Sequence, residues 1–486
     1  MKKFIALLLL ASLLTSCGQT GTPNETDEQT ESDTTTAAKE PDRLDELGNK
    51  NFNGRTFTIL DANDHPDMHV NMPGDSMNGD IVNDALYERD AAISDRFNIN
   101  IEYVSSSNAK TGTTALKNSV LAGDDEYTIC ISCLLGGALA TTALEGVLAN
   151  LCDNEYLSLS ESWWSPLLYD QLRLGNIMYF TAGDISPAMY QMPNCFFMNT
   201  KLAENYGINR DDICQLVRDG KWTYDEVYNI TKDRSKDVND DGVMAAADDF
   251  FGLVHQKLGG STTTALLVGA GVDLSAISPD GNSLSVDLVS ERNIGAIEKV
   301  KRVLEDVSYN GWQEQNDVIN KTFKGDNAIL LFHVLESASV HLRDMQSDYL
   351  VLPMPKYNSD QENYHSQISG WVSSYVAIPL TSDPEFAGMI TEALDYYSYK
   401  YIRPKAYDLT YKQKTSRDEN SAEMLDIIFS TLYLDFNCLY DFGGTASVLT
   451  NALNGTGSLA SDFAAIQGKI DSGINSFTEN WIRDDK

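Results

Sequence analysis

Alternating apolar and polar positions predict three strands near the start of the folded part of the chain, at residues 55–60, 98–104 and 127–133. Between them, apolar side chains recur at helical spacing at residues 85–97 and near residues 116–121. The order strand, helix, strand, helix, strand is typical of a doubly wound parallel sheet. The sequence therefore predicts an α/β fold.

A different pattern near the middle of the chain predicts a passage from one lobe to another. Two short apolar runs, at residues 177–181 and 195–198, are separated by Gly183, Pro187 and Pro193, which interrupt regular structure. A buried strand, an irregular crossing and a second buried strand suit a chain that leaves one lobe for the next. With 486 residues, 42% of them hydrophobic, the chain is long enough for two or three separate cores.

The first 17 residues predict export. Lys2 and Lys3 precede an apolar run at residues 4–14, which is shorter than the roughly 20 residues that span a bilayer. This arrangement predicts a signal peptide, and the sequence LTSC at residues 14–17 matches the bacterial lipobox, in which Cys17 is lipidated. The alternative is an uncleaved anchor. In both cases we expect the chain at the extracellular face of the bacterial cell membrane.

The charge pattern separates the predicted membrane anchor from the folded part of the chain. Residues 18–50 carry nine acidic and three basic residues and almost no large apolar ones, so they are predicted to form a disordered tether. Over the whole chain, 71 acidic and 36 basic residues give a net charge of −35. Such a charge argues against binding to nucleic acid or to an anionic lipid surface.

The seven cysteines show no disulfide framework of the small secreted kind. Cys130 and Cys133 form a Cys-x-x-Cys pair, but they lie in the predicted strand at residues 127–133. Redox and zinc motifs normally lie at a helix start or a knuckle turn. We therefore favour a core strand over a redox function, which stays the alternative.

Several segments resemble bacterial extracellular solute-binding proteins, in order and in spacing. Residues 197–202 read FMNTKL and are followed by YGI at 206–208, residues 222–226 read WTYDE, and residues 350–355 read LVLPMP. The segment GWVSSYVAIP at 370–379 resembles the return crossing of the same proteins. The chain resembles family 1, the maltose-binding-protein-like lipoproteins of ABC importers, over most of residues 55–428.

This resemblance implies a periplasmic-binding-protein-like fold, with two doubly wound α/β lobes joined by a hinge and a ligand cleft between them. The expected division places residues 51–188 with 374–415 in lobe 1. Residues 189–373 with 416–486 form lobe 2 and the C-terminal helices. The resemblance also implies capture of a small solute, most often a sugar, by lobe closure and delivery to an ABC permease. We expect a monomer, because no helix shows an oligomerisation heptad.

Six residues are predicted to contact the ligand. Two of them follow the first strand, at the end where open α/β sheets meet their ligands. The aromatic ones offer faces for sugar rings, although core or hinge packing is the alternative for each. The resemblance implies that the acidic side chain at position 336 faces the ligand. The six are Asp61, Asn63, Trp163, Tyr190, Glu336 and Trp371.

One loop has the oxygen spacing of a calcium site. Asp237, Asn239 and Asp241 occupy positions 1, 3 and 5, Gly242 occupies position 6, and Asp248 stands at position 12 in place of the usual Glu. A structural Ca²⁺ ion or an Asx-rich turn without metal are both open. No other cofactor is expected.

No common catalytic motif occurs in the chain. We therefore expect a protein that binds its solute without transforming it. Two alternatives stay open: a secreted carbohydrate-active hydrolase, which needs only two carboxylates, and a binding receptor that signals without transport.

Overall fold

The structure is a computed structural model that describes residues 42–63, 72–74, 76–136, 138–246, 248–305, 318–371, 373–406 and 419–483. The predicted signal peptide and Cys17 lie outside the described residues. Among the residues described, no helix combines the length and the apolar composition that crossing a bilayer requires.

Twelve strands occur in the described part of the chain. In chain order they are β1 Arg55–Ala62, β2 Ile99–Ser105, β3 Ile129–Ser132, β4 Asn194–Asn199, β5 Phe251–His255, β6 Ala276–Ile277, β7 Leu284–Ser285, β8 Ala328–Val334, β9 Tyr349–Leu352, β10 Ser366–Gln367, β11 Tyr375–Ala377 and β12 Leu432–Tyr433.

The α-helices are α1 Arg43–Leu47, α2 Ile81–Phe97, α3 Ala109–Ala122, α4 Leu139–Ala143, α5 Pro166–Gln171, α6 Thr200–Asn205, α7 Arg210–Arg218, α8 Tyr224–Thr231, α9 Gly260–Gly269, α10 Glu291–Glu305, α11 Ser337–Val340, α12 Pro384–Tyr397, α13 Glu419–Ser430, α14 Phe436–Tyr440, α15 Thr445–Leu453 and α16 Leu459–Trp481. Short 3₁₀ turns lie at Leu151–Asp153, Pro187–Gln191 and Phe442–Gly444, and π-helical turns lie at Val318–Phe323 and Ser398–Ile402.

The first sheet has the strand order β11-β3-β1-β2. Strand β1 runs parallel to both neighbours, with Ile59 opposite Tyr103 on one side and Ile129 on the other. The predicted parallel arrangement is confirmed. Helix α2 begins four residues before the predicted start, because the Asp80 carboxylate accepts hydrogen bonds from the amides of Val82 and Asn83 and caps the extra turn.

The second sheet has the order β5-β8-β4-β9 and is mixed. Strands β5 and β8 are parallel, whereas β4 runs antiparallel to both β8 and β9. The resemblance implied two doubly wound lobes, and no sequence pattern indicated the reversed direction of β4. This strand runs against β5 and β8 because it enters the sheet at the edge where those two strands end.

Two stretches of chain run side by side between the sheets. We name residues 181–193 the first crossing and residues 368–376 the second crossing. Isolated bridges join Thr181 to Val376 at one end and Pro193 to Ile368 at the other. Residues 177–181 are predicted as a strand but form isolated bridges. Each of these bridges pairs a single residue, so no continuous ladder of hydrogen bonds results.

A third connection leaves α12, which packs on α2, and leads to α13, which packs on β9. Its described part begins with the π-helical turn Ser398–Ile402 and continues to Ala406. The two four-stranded sheets are therefore linked by three stretches of chain, of which the third is described as far as Ala406.

The end of the predicted tether is folded. Residues 43–47 form α1, and Leu47 is buried. The Arg43 guanidinium donates hydrogen bonds to the Glu392 carboxylate (2.9 Å) and the Tyr156 carbonyl (2.9 Å). The composition of residues 18–50 could not reveal this anchoring, because both partners lie more than 100 residues away along the chain.

Candidate functional site

The carboxyl ends of β1 and β3 lie at the same edge of the first sheet, and Asp61 and Asn63 lie there. Both side chains are buried, and the Asn63 amide donates a hydrogen bond to Asp61 Oδ1 (2.6 Å). Asn63 is 3% exposed, and its Oδ1 atom has no hydrogen-bond partner in the described part of the chain. This oxygen is an acceptor that a bound solute could satisfy.

Trp371 lies near the same edge. The carbonyl of the preceding Gly370 accepts hydrogen bonds from the amides of Leu134 and Leu135, which follow β3. Trp371 is 45% exposed and is the most exposed of the six predicted ligand residues. An indole at this position can cover one face of a sugar ring.

Glu336 lies at the corresponding edge of the second sheet, two residues after β8. Its amide donates to the Gln191 carbonyl of the first crossing (2.6 Å). The side chain is 5% exposed, and no hydrogen bond or ion pair joins its carboxylate to any described residue. Burial raises the pKa of Glu336 to about 7.

A second polar group at this edge was missed by the sequence analysis. His333 near the end of β8 makes hydrogen bonds with Ser337 Oγ at Nδ1 (2.6 Å) and with the Gln256 amide at Nε2. Burial, and then the neighbouring His341, lower the pKa of His333 to about 3, so the imidazole is neutral. The rule that selected Asp61 could have found Gln256 and His333, since they too lie at the carboxyl ends of parallel strands.

The crossings bring these two edges together. Glu336 is bonded to Gln191 in the first crossing, and the Ser369 amide in the second crossing donates to the Met192 carbonyl (3.4 Å). Trp371 follows Ser369 by two residues. We name this region the candidate cleft; its residues are Asp61, Asn63, Leu135, Gln256, His333, Glu336 and Trp371.

Trp163 lies elsewhere. Its indole N–H donates to Glu392 Oε1 (3.2 Å), and its ring packs edge-on against Tyr396 with 5.0 Å between ring centroids. We therefore withdraw Trp163 from the predicted ligand residues, because its polar atom is already bound. The sequence could not show this, since Glu392 is 229 residues away.

Tyr190, in the first crossing, is bound within the protein as well. Its ring is buried against Phe429, with 5.8 Å between centroids, and its hydroxyl donates to Asp184. Tyr190 has neither an exposed face for a sugar nor an uncommitted donor. We withdraw it for the same physical reason.

The calcium-type loop is closed by hydrogen bonds of its own. The Asp237 carboxylate accepts from the amides of Asp241 (3.3 Å) and Gly242 (2.8 Å), and the Asn239 amide donates to Asp241 Oδ2 (3.0 Å). Calcium binding stays a prediction, and we derive no chemistry from it.

The twelfth position does not close this loop. The Asp249 carboxylate, and not that of Asp248, accepts from the amides of Val238 and Ala245 (both 2.7 Å). Within the described ranges, no group of three or more acidic, His or Cys side chains is placed to hold a metal ion. A structural Ca²⁺ ion and an Asx-rich turn without metal therefore both stay open.

Cys130 lies within β3, and Cys133 is the first residue after this strand. Both side chains are buried. Burial raises the pKa of the Cys130 thiol, so its reactive thiolate form is disfavoured. The geometry fits a core strand and offers no exposed thiol pair for redox exchange.

One pH effect follows from the burial of Glu336. Its folded pKa of about 7 exceeds the ordinary value of 4.5, so its contribution to stability is complete below about pH 4.5 and is lost as the pH rises through about 7. We expect Glu336→Gln to remove this loss, which is at most about 3 kcal/mol. Urea unfolding of both proteins at pH 5 and pH 8 measures it. A free-energy difference between them that is the same at both pH values contradicts the prediction.

Many solved structures share this fold. One is a Listeria monocytogenes ABC substrate-binding protein in complex with cycloalternan, with 14% identity, a TM-score of 0.52 and coverage of 87% of this chain and 99% of that one. Another is the cyclic α-maltosyl-1,6-maltose binding protein from Arthrobacter globiformis, with 13% identity, a TM-score of 0.55 and coverage of 87% and 99%. A third is the galacto-N-biose-/lacto-N-biose I-binding protein of the ABC transporter from Bifidobacterium longum, with 13% identity, a TM-score of 0.53 and coverage of 87% and 98%.

These comparisons define the fold class. The chain has the two-lobed, mixed α/β fold of the periplasmic-binding-protein type. No protein-family model matches the sequence, and no curated protein matches it either.

Proposed function

We propose that this protein captures a small solute, a sugar or oligosaccharide, by closing two lobes around it, and hands it to an ABC importer. The observation that carries the proposal is the candidate cleft, in which polar acceptors from both sheets and one exposed indole meet at the crossings. The structures that share the fold include an ABC substrate-binding protein in complex with cycloalternan, a cyclic α-maltosyl-1,6-maltose binding protein, and a galacto-N-biose-/lacto-N-biose I-binding protein of an ABC transporter.

The cleft chemistry suits a sugar. The indole of Trp371 would lie against the apolar face of a pyranose ring. Asn63 Oδ1 and the Glu336 carboxylate would accept hydrogen bonds from sugar hydroxyls, one from each lobe. Because a solute held in this way contacts both sheets, it binds the closed arrangement better than the open one and shifts the lobes towards closure.

The location and the partners belong to the same proposal. The lipobox at residues 14–17 supports a lipid anchor at Cys17, on the extracellular face of the cell membrane, and a permease in that membrane. The division into residues 51–188 with 374–415 and 189–373 with 416–486 places each sheet in one lobe. In this proposal the protein acts as a monomer and transforms nothing.

A thermal-shift screen with product analysis tests the function. We expect one or more oligosaccharides to raise the melting temperature by mass action, whereas amino acids and short peptides leave it unchanged. The sugar should be recovered intact. A cleaved sugar would instead establish a hydrolase, and stabilisation by amino acids or peptides alone would reject the carbohydrate ligand.

A further inference from the structure

Two fully buried carboxyl groups lie next to each other where the first crossing packs against α12; we call this region the hinge. Asp184 lies in the first crossing and Asp395 lies on α12, and both are 0% exposed. The Ile185 amide donates to Asp395 Oδ1 (2.6 Å), and Gly183 has no room for a Cβ atom because the Asp395 carboxylate fills that space. The residues before and after Asp184 in the chain therefore both contact Asp395.

The two carboxyl groups are not fully compensated. The atoms Asp184 Oδ2 and Asp395 Oδ2 have no hydrogen-bond partner in the described part of the chain. Arg403 Nη1 lies 3.6 Å from Asp184 Oδ2, which is an ion-pair distance but too long for a hydrogen bond. The nearby, fully buried Arg89 is already bonded to Asp90 (2.9 Å) and to the Ile185 carbonyl (2.9 Å).

Other charged and titratable groups act on the pair directly: Glu392 on α12, Arg89 on α2, Tyr190 in the first crossing and Arg403 in the third connection. Further groups surround these partners: Asp90 on α2 and Tyr103 on β2 interact with Arg89, and Asp426 on α13 interacts with Arg403.

Two adjacent, fully buried carboxylates do not both ionise, because burial disfavours each charge and the low dielectric strengthens their repulsion. Burial raises the pKa of Asp184 to about 7, even though Arg403 and Tyr190 lower it. Burial, and then the charge of Asp184, raise the pKa of Asp395 well above its usual range. In neutral solution the pair therefore retains a proton.

We propose that Asp184 and Asp395 share one proton, and that a second proton, taken up in mildly acidic solution, breaks the ion pair between Asp184 and Arg403. This ion pair joins the first crossing to the third connection. When Asp184 becomes neutral, Arg403 loses its buried counter-charge and the two stretches of chain separate. The acid pair is thus a pH-sensitive latch in the hinge.

A cavity beside the latch provides the space for this movement. It measures about 840 Å³, and Arg403 and Met189 line it. Ser162 and residues 165–167, which precede the first crossing, line one part of it, and Asp426, Phe429 and Leu432 of α13 and β12 line another. Because its walls come from segments that flank two connections, a hinge rotation changes its size. We expect the lobes to rest further apart at pH 5 than at pH 8, which would regulate the capture function proposed above.

Infrared spectroscopy of the purified protein tests the shared proton. Glu336→Gln serves as the parent protein, because the pKa of Glu336 is also raised to about 7 and its carbonyl stretch would overlap. At pH 7 we expect this parent to show the carbonyl stretch of a buried, protonated carboxylic acid, and we expect Asp395→Asn made in it to lack that band. Asp471→Asn removes an exposed carboxylate on α16 and is the matched control, which should keep the band. Asp184→Asn provides the second variant if Asp395→Asn does not fold. A band that persists in both hinge variants overturns the proposal.

Small-angle scattering without any solute tests the latch. We expect a larger radius of gyration at pH 5 than at pH 8 in the unmodified protein. In Arg403→Gln, which cannot form the ion pair, we expect the larger value at both pH values. A radius that does not change with pH while the infrared band titrates overturns the latch. Since neither measurement uses a sugar, failure of the proposed capture function is a separate result.

Discussion

Replacing Trp371 by alanine is expected to weaken sugar binding by roughly 30- to 150-fold. The indole is 45% exposed at the candidate cleft, and a bound ring would cover that part. Covering it removes on the order of 100 Å² of apolar surface from water, which contributes about 2 to 3 kcal/mol.

Calorimetric titration with a sugar identified in the thermal-shift screen measures this effect. Tyr87→Ala is the matched control, because Tyr87 on α2 is 43% exposed and comparable in kind but is not part of the cleft. Its affinity should equal that of the unmodified protein. If Trp371→Ala binds within twofold of the unmodified protein, Trp371 only packs at the crossing and the proposed stacking is wrong.

The second large effect is expected on folding, from Glu392→Ala. The Glu392 carboxylate is buried and accepts four hydrogen bonds: from Arg43 Nε (2.9 Å), the Trp163 indole (3.2 Å), the Trp164 indole (2.6 Å) and the Ser158 amide (3.1 Å). Removing it leaves all four donors without this acceptor. We expect the free energy of unfolding to fall by roughly 3–5 kcal/mol.

Urea unfolding followed by circular dichroism measures the loss. Glu385→Ala is the control, since Glu385 lies seven residues earlier on the same helix and its side chain is 41% exposed. It bonds Tyr156 and Lys50 at the surface, and we expect a loss below about 1 kcal/mol. Equal losses in the two variants would show that Glu392 does not organise this region.

Trp371 and Glu392 show that the cleft and the hinge use their side chains differently. The cleft keeps an exposed indole and uncommitted acceptors, whereas the hinge uses its aromatic and acidic side chains to bind one another. Trp163 binds Glu392 and Tyr190 binds Asp184, so the aromatic density around the first crossing serves the connection between lobes. In the proposed function, the solute would therefore be recognised by the edges of the two sheets.

The sequence by itself determined the local elements. Strands β1 to β3 and helices α2 and α3 lie where the alternating and helical patterns predicted them, and Asn199 caps α6 by accepting a hydrogen bond from the Leu202 amide (3.0 Å). Such features depend on residues a few positions apart, so a linear pattern contains them. The rule for strand ends also selected Asp61 and Asn63, because the parallel order of β1 and β3 could be predicted.

The tertiary structure alone decided which polar and aromatic side chains have partners. Trp163 and Trp371 have the same chemistry in the sequence, yet one indole is bound by Glu392 and the other is exposed. Asp184 and Asp395 are 211 residues apart, and only the packing of α12 against the first crossing places them together. Burial and pairing depend on contacts between distant segments, and these contacts decide whether a side chain is bound within the protein or is left available for the proposed ligand.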